Sequence, residues 1–262
     1  MKTEQLTALR VCFERYVETF EQDGAGLPPP LALKAQHSER VARECRDLSF
    51  ELGWPSGLQR SAEALGLLHD IGRFSQFAQY RTFADGASVD HGERGFEIAS
   101  SCELLSRLPA AERRPILDGI RHHNDRSMPD GLVDRSADFL HLVRDADKLD
   151  IFRVVLEAVD RDGFRDLPDM LPHVSLQCSP CPEIVAELRH HRSCSFEKVR
   201  TLGDFLLMQL SWVYDLNLAP ALQRVLEREI PSRLLQHVEG DLGCEELGET
   251  VHSFLRDRLD AE

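Results

Sequence analysis

The sequence predicts an all-α fold, and three observations carry the prediction. Apolar residues recur at helical spacings of three, four and seven through most of the chain. Segments that alternate polar and apolar residues between turn dipeptides, the mark of antiparallel strands, are nearly absent. Breaks fall at 23–30, 53–57, 81–90, 124–131, 160–172 and 178–182, leaving helix-length segments between them. With 262 residues, the chain can bury a sizeable core as one large domain, or as one domain with an extension.

Taken in order, residues 1–30 read as an amphipathic N-terminal helix and a linker. The acidic residues of "MKTEQLTALRVCFERYVETF" argue against a secretory signal or a transit peptide. Residues 31–158 read as a compact helical unit. Residues 159–262 add further helices, packed on that unit or capping it, with apolar tracts at 202–222 and 229–238. Met208, Trp212 and Tyr214 within the first tract are expected to pack in a core rather than to hold a cofactor.

Charge narrows the partners. A net charge of -14 opposes a broad face for nucleic-acid polymers or anionic membranes. It still permits a small anionic substrate, because a local cation or metal can reverse the sign within one cavity. No apolar run approaches the ~20 residues that span a bilayer, so a cytoplasmic protein is expected. Seven cysteines, an odd number spread over a long chain, do not suggest a disulfide framework. Cys178, Cys181, His190, His191 and Cys194 could supply a zinc site. However, Pro180 and Pro182 make a loop of the first pair and no second tight pair follows, so reduced, structural thiols are expected.

Helical spacing shows where the histidines and aspartates point. The stripe Val41, Cys45, Leu48, Leu52 extends back one turn onto His37, and Leu58, Ala62, Leu65 runs forward onto His69, beside Asp70. Ile98, Cys102 and Leu105 extend back through Gly95 onto His91. Ile116 and Ile120 lead to His123, with His122 its neighbour, and Asp147 lies within the face of Leu140, Val143, Ile151 and Val154. Asp145 shares a second apolar face with Leu142, Leu149 and Phe152, so spacing alone leaves both aspartates open. Five successive helices thus present a His or Asp at an apolar margin. A buried polar side chain needs a partner, and one shared metal satisfies all of them at once.

His37, then His69-Asp70 in "LLHDIGRF", then Asp147 in "DADKLD", resembles the HD superfamily of metal-dependent phosphohydrolases over roughly residues 31–158. The resemblance implies an all-α HD-domain bundle with additional C-terminal helices beyond it. Histidines at 91, 122 and 123 complete an H…HD…H…HH…D pattern similar to the two-metal members of the family. It implies two divalent ions, of iron, manganese, cobalt or zinc, held by His37, His69, Asp70, His91, His122, His123 and Asp147, with Asp70 as bridge. The family pattern places the last ligand before the basic residue and so selects Asp147, leaving Asp145 and Asp150 to orient ligands or form ion pairs. The signature of the cyclic-di-GMP phosphodiesterase branch is missing after the HH pair, where "NDRSMPDG" stands.

The implied activity is hydrolysis of a small phosphorylated metabolite or nucleotide by a metal-bound hydroxide. Asp70 and Arg73 are the expected catalytic residues, and Arg73, Arg81 and Lys148 the expected phosphate contacts. The stretch between the HD pair and His91 is expected to form a substrate loop, with Phe77, Tyr80 and Phe83 either stacking on a base or packing the loop. Two other readings stay open. One is a one-metal nucleotide phosphatase in which His91, His122 and His123 serve the substrate, and the other is a non-catalytic nucleotide-binding or signalling module. A homodimer is compatible with all three.

Overall fold

Three prolines open the central bundle: Pro28 precedes the first turn and Pro29 and Pro30 occupy it, where a missing N–H costs nothing. The computed structural model describes residues 1–22, 24–133, 135–165, 171, 174–190, 194–240 and 244–261. Among the described residues there are helices and no strands, apart from isolated bridges between Gln22 and Gly26 and between Ser175 and Thr201. The chain forms two compact units, Met1–Asp150 and Ile151–Glu262. No described helix is long and apolar enough to cross a membrane.

The first unit contains α1 (Thr3–Glu18), α2 (Pro29–Glu51), α3 (Ser56–Leu68), α4 (Ile71–Tyr80), α5 (His91–Ser100), α6 (Glu103–Ser106), α7 (Ala110–His122) and the first part of α8 (Ser136–Asp162). α1 buries Leu6, Leu9, Phe13 and Val17, and the half-buried Arg10 binds Glu39 of α2 and Glu63 of α3. Val41, Ala42, Cys45 and Leu48 of α2 are fully buried. In the α8 segment Phe139, Leu140, Leu142, Val143, Ala146 and Leu149 are buried around the whole helix, which marks it as a central element.

Two expectations for this unit differ from what is observed. The stretch after the HD pair is not one long loop: Ile71–Tyr80 is helix α4, and only 81–90 is irregular, with a 3₁₀ turn at Asp85–Ala87. Ile71 and Phe74 are buried one turn apart, and Arg81 ends the helix in the left-handed conformation (φ 57°). The stripe running from His91 to Leu105 is broken, because α5 stops at Ser100 and Leu105 belongs to α6. The Ser101 hydroxyl donates to the Ile98 carbonyl at 2.7 Å, and Cys102 turns to an extended conformation, so the chain leaves the helix between them.

The second unit contains the end of α8, then α9 (Pro182–Arg189), α10 (Leu202–Ser211), α11 (Ala219–Glu227), α12 (Ile230–Gln236) and α13 (Cys244–Asp260). α10 is buried along its whole length. Thr201 and Asp204 cap its start reciprocally, each side chain accepting the other's backbone N–H at 3.0 and 3.1 Å. Met208 is buried, Trp212 lies 6.2 Å from Phe152, and Tyr214 meets Phe254 edge-on at 4.7 Å, all as packing residues. Cys178, Cys181 and Cys194 are free thiols, and Cys181 donates to Asp204 at 3.3 Å. None of them joins a metal-competent group among the described residues, and His191 lies outside those residues.

Candidate metal centre

Helix ends converge on one point. His37 sits inside α2, His69 closes α3, Asp70 opens α4, His91 opens α5 and His123 closes α7. Their exposures are 6, 0, 3, 3 and 7%, and the Asp147 side chain of α8 is 20% exposed. Glycine lets the backbones come this close. A Cβ on Gly72 would stand 2.2 Å from the His91 carbonyl, and one on Gly92 would stand 2.5 Å from the Arg121 carbonyl. The glycine of "HDIG" therefore seats α4 against the start of α5.

Each buried ring has a hydrogen-bond acceptor at Nδ1. Nδ1 of His37 lies 2.7 Å from Asp150, that of His91 2.6 Å from Asp85, that of His69 2.7 Å from the Gly66 carbonyl, and that of His123 2.9 Å from the Ile120 carbonyl. These carbonyls and carboxylates accept, so the proton belongs on Nδ1 and a neutral ring presents a lone pair at Nε2. The four Nε2 atoms face one another in two pairs, His37–His69 at 3.2 Å and His91–His123 at 3.0 Å. Between two neutral rings with Nδ1 protonated, the Nε2 lone pairs repel at that distance, and a cation between them removes the conflict.

Asp70 joins the pairs. Its Oδ2 lies 3.7 and 3.8 Å from Nε2 of His37 and His69, and its Oδ1 lies 3.5 and 3.6 Å from those of His91 and His123. Asp147 Oδ1 stands 3.0 Å from His37 Nε2 and 3.6 Å from His69 Nε2, buried and, among the described residues, without a properly directed hydrogen bond. His37, His69 and Asp70 form one group able to hold a metal, and Asp70, His91 and His123 form another, with donor atoms in each within 4.8 Å. Imidazole nitrogen mixed with carboxylate oxygen suits a divalent transition metal.

The charges follow this geometry. Burial would raise the Asp70 carboxyl, but the cationic Lys34 and the His69, His123 and Arg73 side chains hold it well below the usual range. Burial lowers His91, helped by Arg73, to about 4 despite Asp85, and it lowers His69 as well. His37, between Asp147 and Asp150, is raised against its own burial. Burial would also raise Asp85 and Asp150, but hydrogen bonds from His91 to the first, and from His37 and Arg40 to the second, hold both at about 2.

The remaining predicted residues lie at varied distances from this centre. His122 turns away, with Nδ1 2.7 Å from Asp125 and its side chain 24% exposed. Arg73 Nε lies 3.4 Å from Asp70 Oδ1, while Nη1 is anchored by Asp85, Gln76 and the Phe83 carbonyl. Arg81 sits over the Phe77 ring, which stacks on Phe83 at 4.9 Å, so those two aromatics pack against each other. Lys148 is half-buried beside Asp147, and Asp145 is fully buried. Sequence reasoning passed over Lys34, whose Nζ lies 2.7 Å from Asp70 Oδ2, and Asp85. Lys34 stands three residues before His37 on the same helix face, which was a usable signal, whereas Asp85 lies in an irregular segment without one.

Two pairs of imidazoles sharing one carboxylate, at the heart of a helical bundle, define an all-α protein with the donor set of a divalent-metal site. Residues 35–151 match the family model of the HD domain. No curated protein and no solved structure matches the chain.

Proposed function

We propose that the protein is a metal-dependent phosphohydrolase that acts on a small phosphorylated metabolite or nucleotide at a two-metal centre. The observation that carries this reading is Asp70, each of whose oxygens faces its own pair of imidazole nitrogens. His37, His69, Asp70 and Asp147 would hold one ion, and Asp70, His91 and His123 the other. Divalent iron, manganese, cobalt or zinc, when bound, supplies Lewis acidity toward a phosphoryl oxygen and lowers the pKa of water toward about 7.

The chain's own residues prepare that chemistry. Asp150 and Asp85 accept the Nδ1 protons of His37 and His91 and so keep Nε2 free to donate its lone pair. Arg40 in turn fixes Asp150 through two hydrogen bonds of 2.6 and 2.9 Å. Arg73, clamped from behind at Asp85, holds its guanidinium beside Asp70 as a fixed positive group for phosphate oxygens. Arg81 and Lys148 are proposed as outer cations for the same substrate.

The test is turnover by metal-depleted protein reconstituted with each of the four metals, across phosphomonoesters, phosphodiesters and nucleotides. Release of phosphate or of a nucleotide product by one class is expected. An Asp70→Asn variant should lose metal and at least 10²–10³-fold in rate. A metal-loaded wild type that turns over none of these classes, yet binds a nucleotide, would favour a non-catalytic binding module instead.

A further inference from the structure

Lys34 is the cation nearest the shared carboxylate, and the reading above leaves it without a task. It lies one turn before His37 on α2, so both side chains leave the helix toward the same carboxylate, Asp70. Its Nζ donates to Asp70 Oδ2 at 2.7 Å, while Arg73 approaches Oδ1 of the same carboxylate at 3.4 Å. Both cations also meet over one ring: Nζ of Lys34 is 5.7 Å from the centre of Phe83, and the Arg73 guanidinium is 5.9 Å from it. Arg73 is held in place by Asp85, Gln76 and the Phe83 carbonyl. Among the described residues Lys34 is held by Asp70 alone, and its side chain is 24% exposed, so its four-carbon stem can carry the ammonium outward.

Oδ2 is also the oxygen that faces His37 and His69. One carboxylate oxygen serves an ammonium and a divalent ion poorly, since the two cations repel at such distances. The four carboxylates Asp70, Asp85, Asp147 and Asp150 exceed the three cations Lys34, Arg40 and Arg73 by one formal charge, so an added divalent ion turns this group of side chains positive and attractive to a phosphate. We propose that Lys34 is a substrate-binding residue that exchanges Asp70 Oδ2 for a phosphate oxygen of the substrate. The assignment rests on the metal-dependent reading and names the side of the centre where the phosphate is gripped, between Lys34 and Arg73 at the edge of Phe83.

The experiment compares the wild type with Lys34→Met, which keeps the apolar stem and removes the charge. Two quantities are measured: metal affinity by chelator competition, and affinity of the metal-loaded protein for inorganic phosphate by calorimetry. Lys34→Met is expected to bind metal at least as tightly as the wild type, because a competitor for Oδ2 is gone, and to bind phosphate about 10- to 100-fold more weakly. Lys34→Arg should retain phosphate binding within a few-fold, and Lys34→Gln replaces Lys34→Met should that variant fail to fold. Phosphate affinity equal to the wild type in the uncharged variant, with metal affinity reduced, would overturn the assignment and leave Lys34 a structural partner of Asp70. A wild type that takes up no metal would overturn the metal-dependent reading and this proposal with it, whereas loaded wild type and Lys34→Met with equal phosphate affinity would overturn only the latter.

Discussion

Replacing His91 with alanine separates a metal ligand from a core histidine, and the structure supplies the magnitudes. The ring is 3% exposed, its Nδ1 lies 2.6 Å from Asp85, and its Nε2 faces His123 at 3.0 Å and Asp70 Oδ1 at 3.5 Å. Truncation leaves Asp85 with Arg73, Gln76 and Asn124 still on it, so the carboxylate keeps partners. It also removes one of two opposed lone pairs. In chelator-treated protein the loss should therefore stay within the ~1–3 kcal/mol of a partly satisfied buried group. Metal widens the gap. An ion present at ~1,000 times its Kd stabilises the wild type by about 4 kcal/mol, which for a unit of this size is roughly 8–16 °C in Tm. The variant should forgo that increment for its second group, and lose about one of two metal equivalents by elemental analysis. The assay is a pair of melting curves for each protein, with chelator and with saturating Mn²⁺. A gap between wild type and variant that is the same in both conditions, with metal content unchanged, would refute the second group and restore the one-metal reading.

What could be read ahead of the structure was whatever a local period encodes. The stripes ending at His37, His69 and His123, and the part of the His91 stripe that lies within α5, are runs of a few turns, and the four histidines arrive within 3.0–3.2 Å of one another in two pairs. Their Nδ1 partners were harder to read, because the geometry that selects them is long-range: Asp150 lies 113 positions from His37, and Asp85 stands in a 3₁₀ turn without apolar spacing. Spacing also left Asp145 and Asp147 on equal terms, and only the approach of α2 to α8 brings Asp147 to His37 Nε2. α4 reads as loop in the sequence because its polar and aromatic content outweighs the three-residue step from Ile71 to Phe74 to Phe77. The glycine of the HD motif carried no visible reason until the His91 carbonyl was found 2.2 Å from where its Cβ would be.

Two further predictions concern the scaffold. Gly72→Ala places a methyl group against the His91 carbonyl and, at 2.7 Å, the Gly95 nitrogen. Both are backbone atoms that cannot rotate away, so a loss of about 3 kcal/mol or more is expected in urea unfolding, and the His91–His123 group should lose its metal before the His37–His69 group. A variant with wild-type stability and full metal content would show that α4 and α5 can separate freely. In the second unit, Asp160 accepts from Arg233 at 2.7 Å and His237 at 2.6 Å, and these bonds lower its pKa below 3.8 although its slight burial acts the other way. A carboxyl depressed on folding stabilises the native state above its unfolded value and loses that contribution as pH falls through the folded one. With its side chain 43% exposed, the pair should contribute no more than about 1 kcal/mol. Asp160→Asn should accordingly melt slightly below the wild type at pH 7, and the difference should close as the pH drops under 3.8. A gap that persists undiminished in acid would mean that Asp160 acts through its shape and neutral hydrogen bonds rather than its charge.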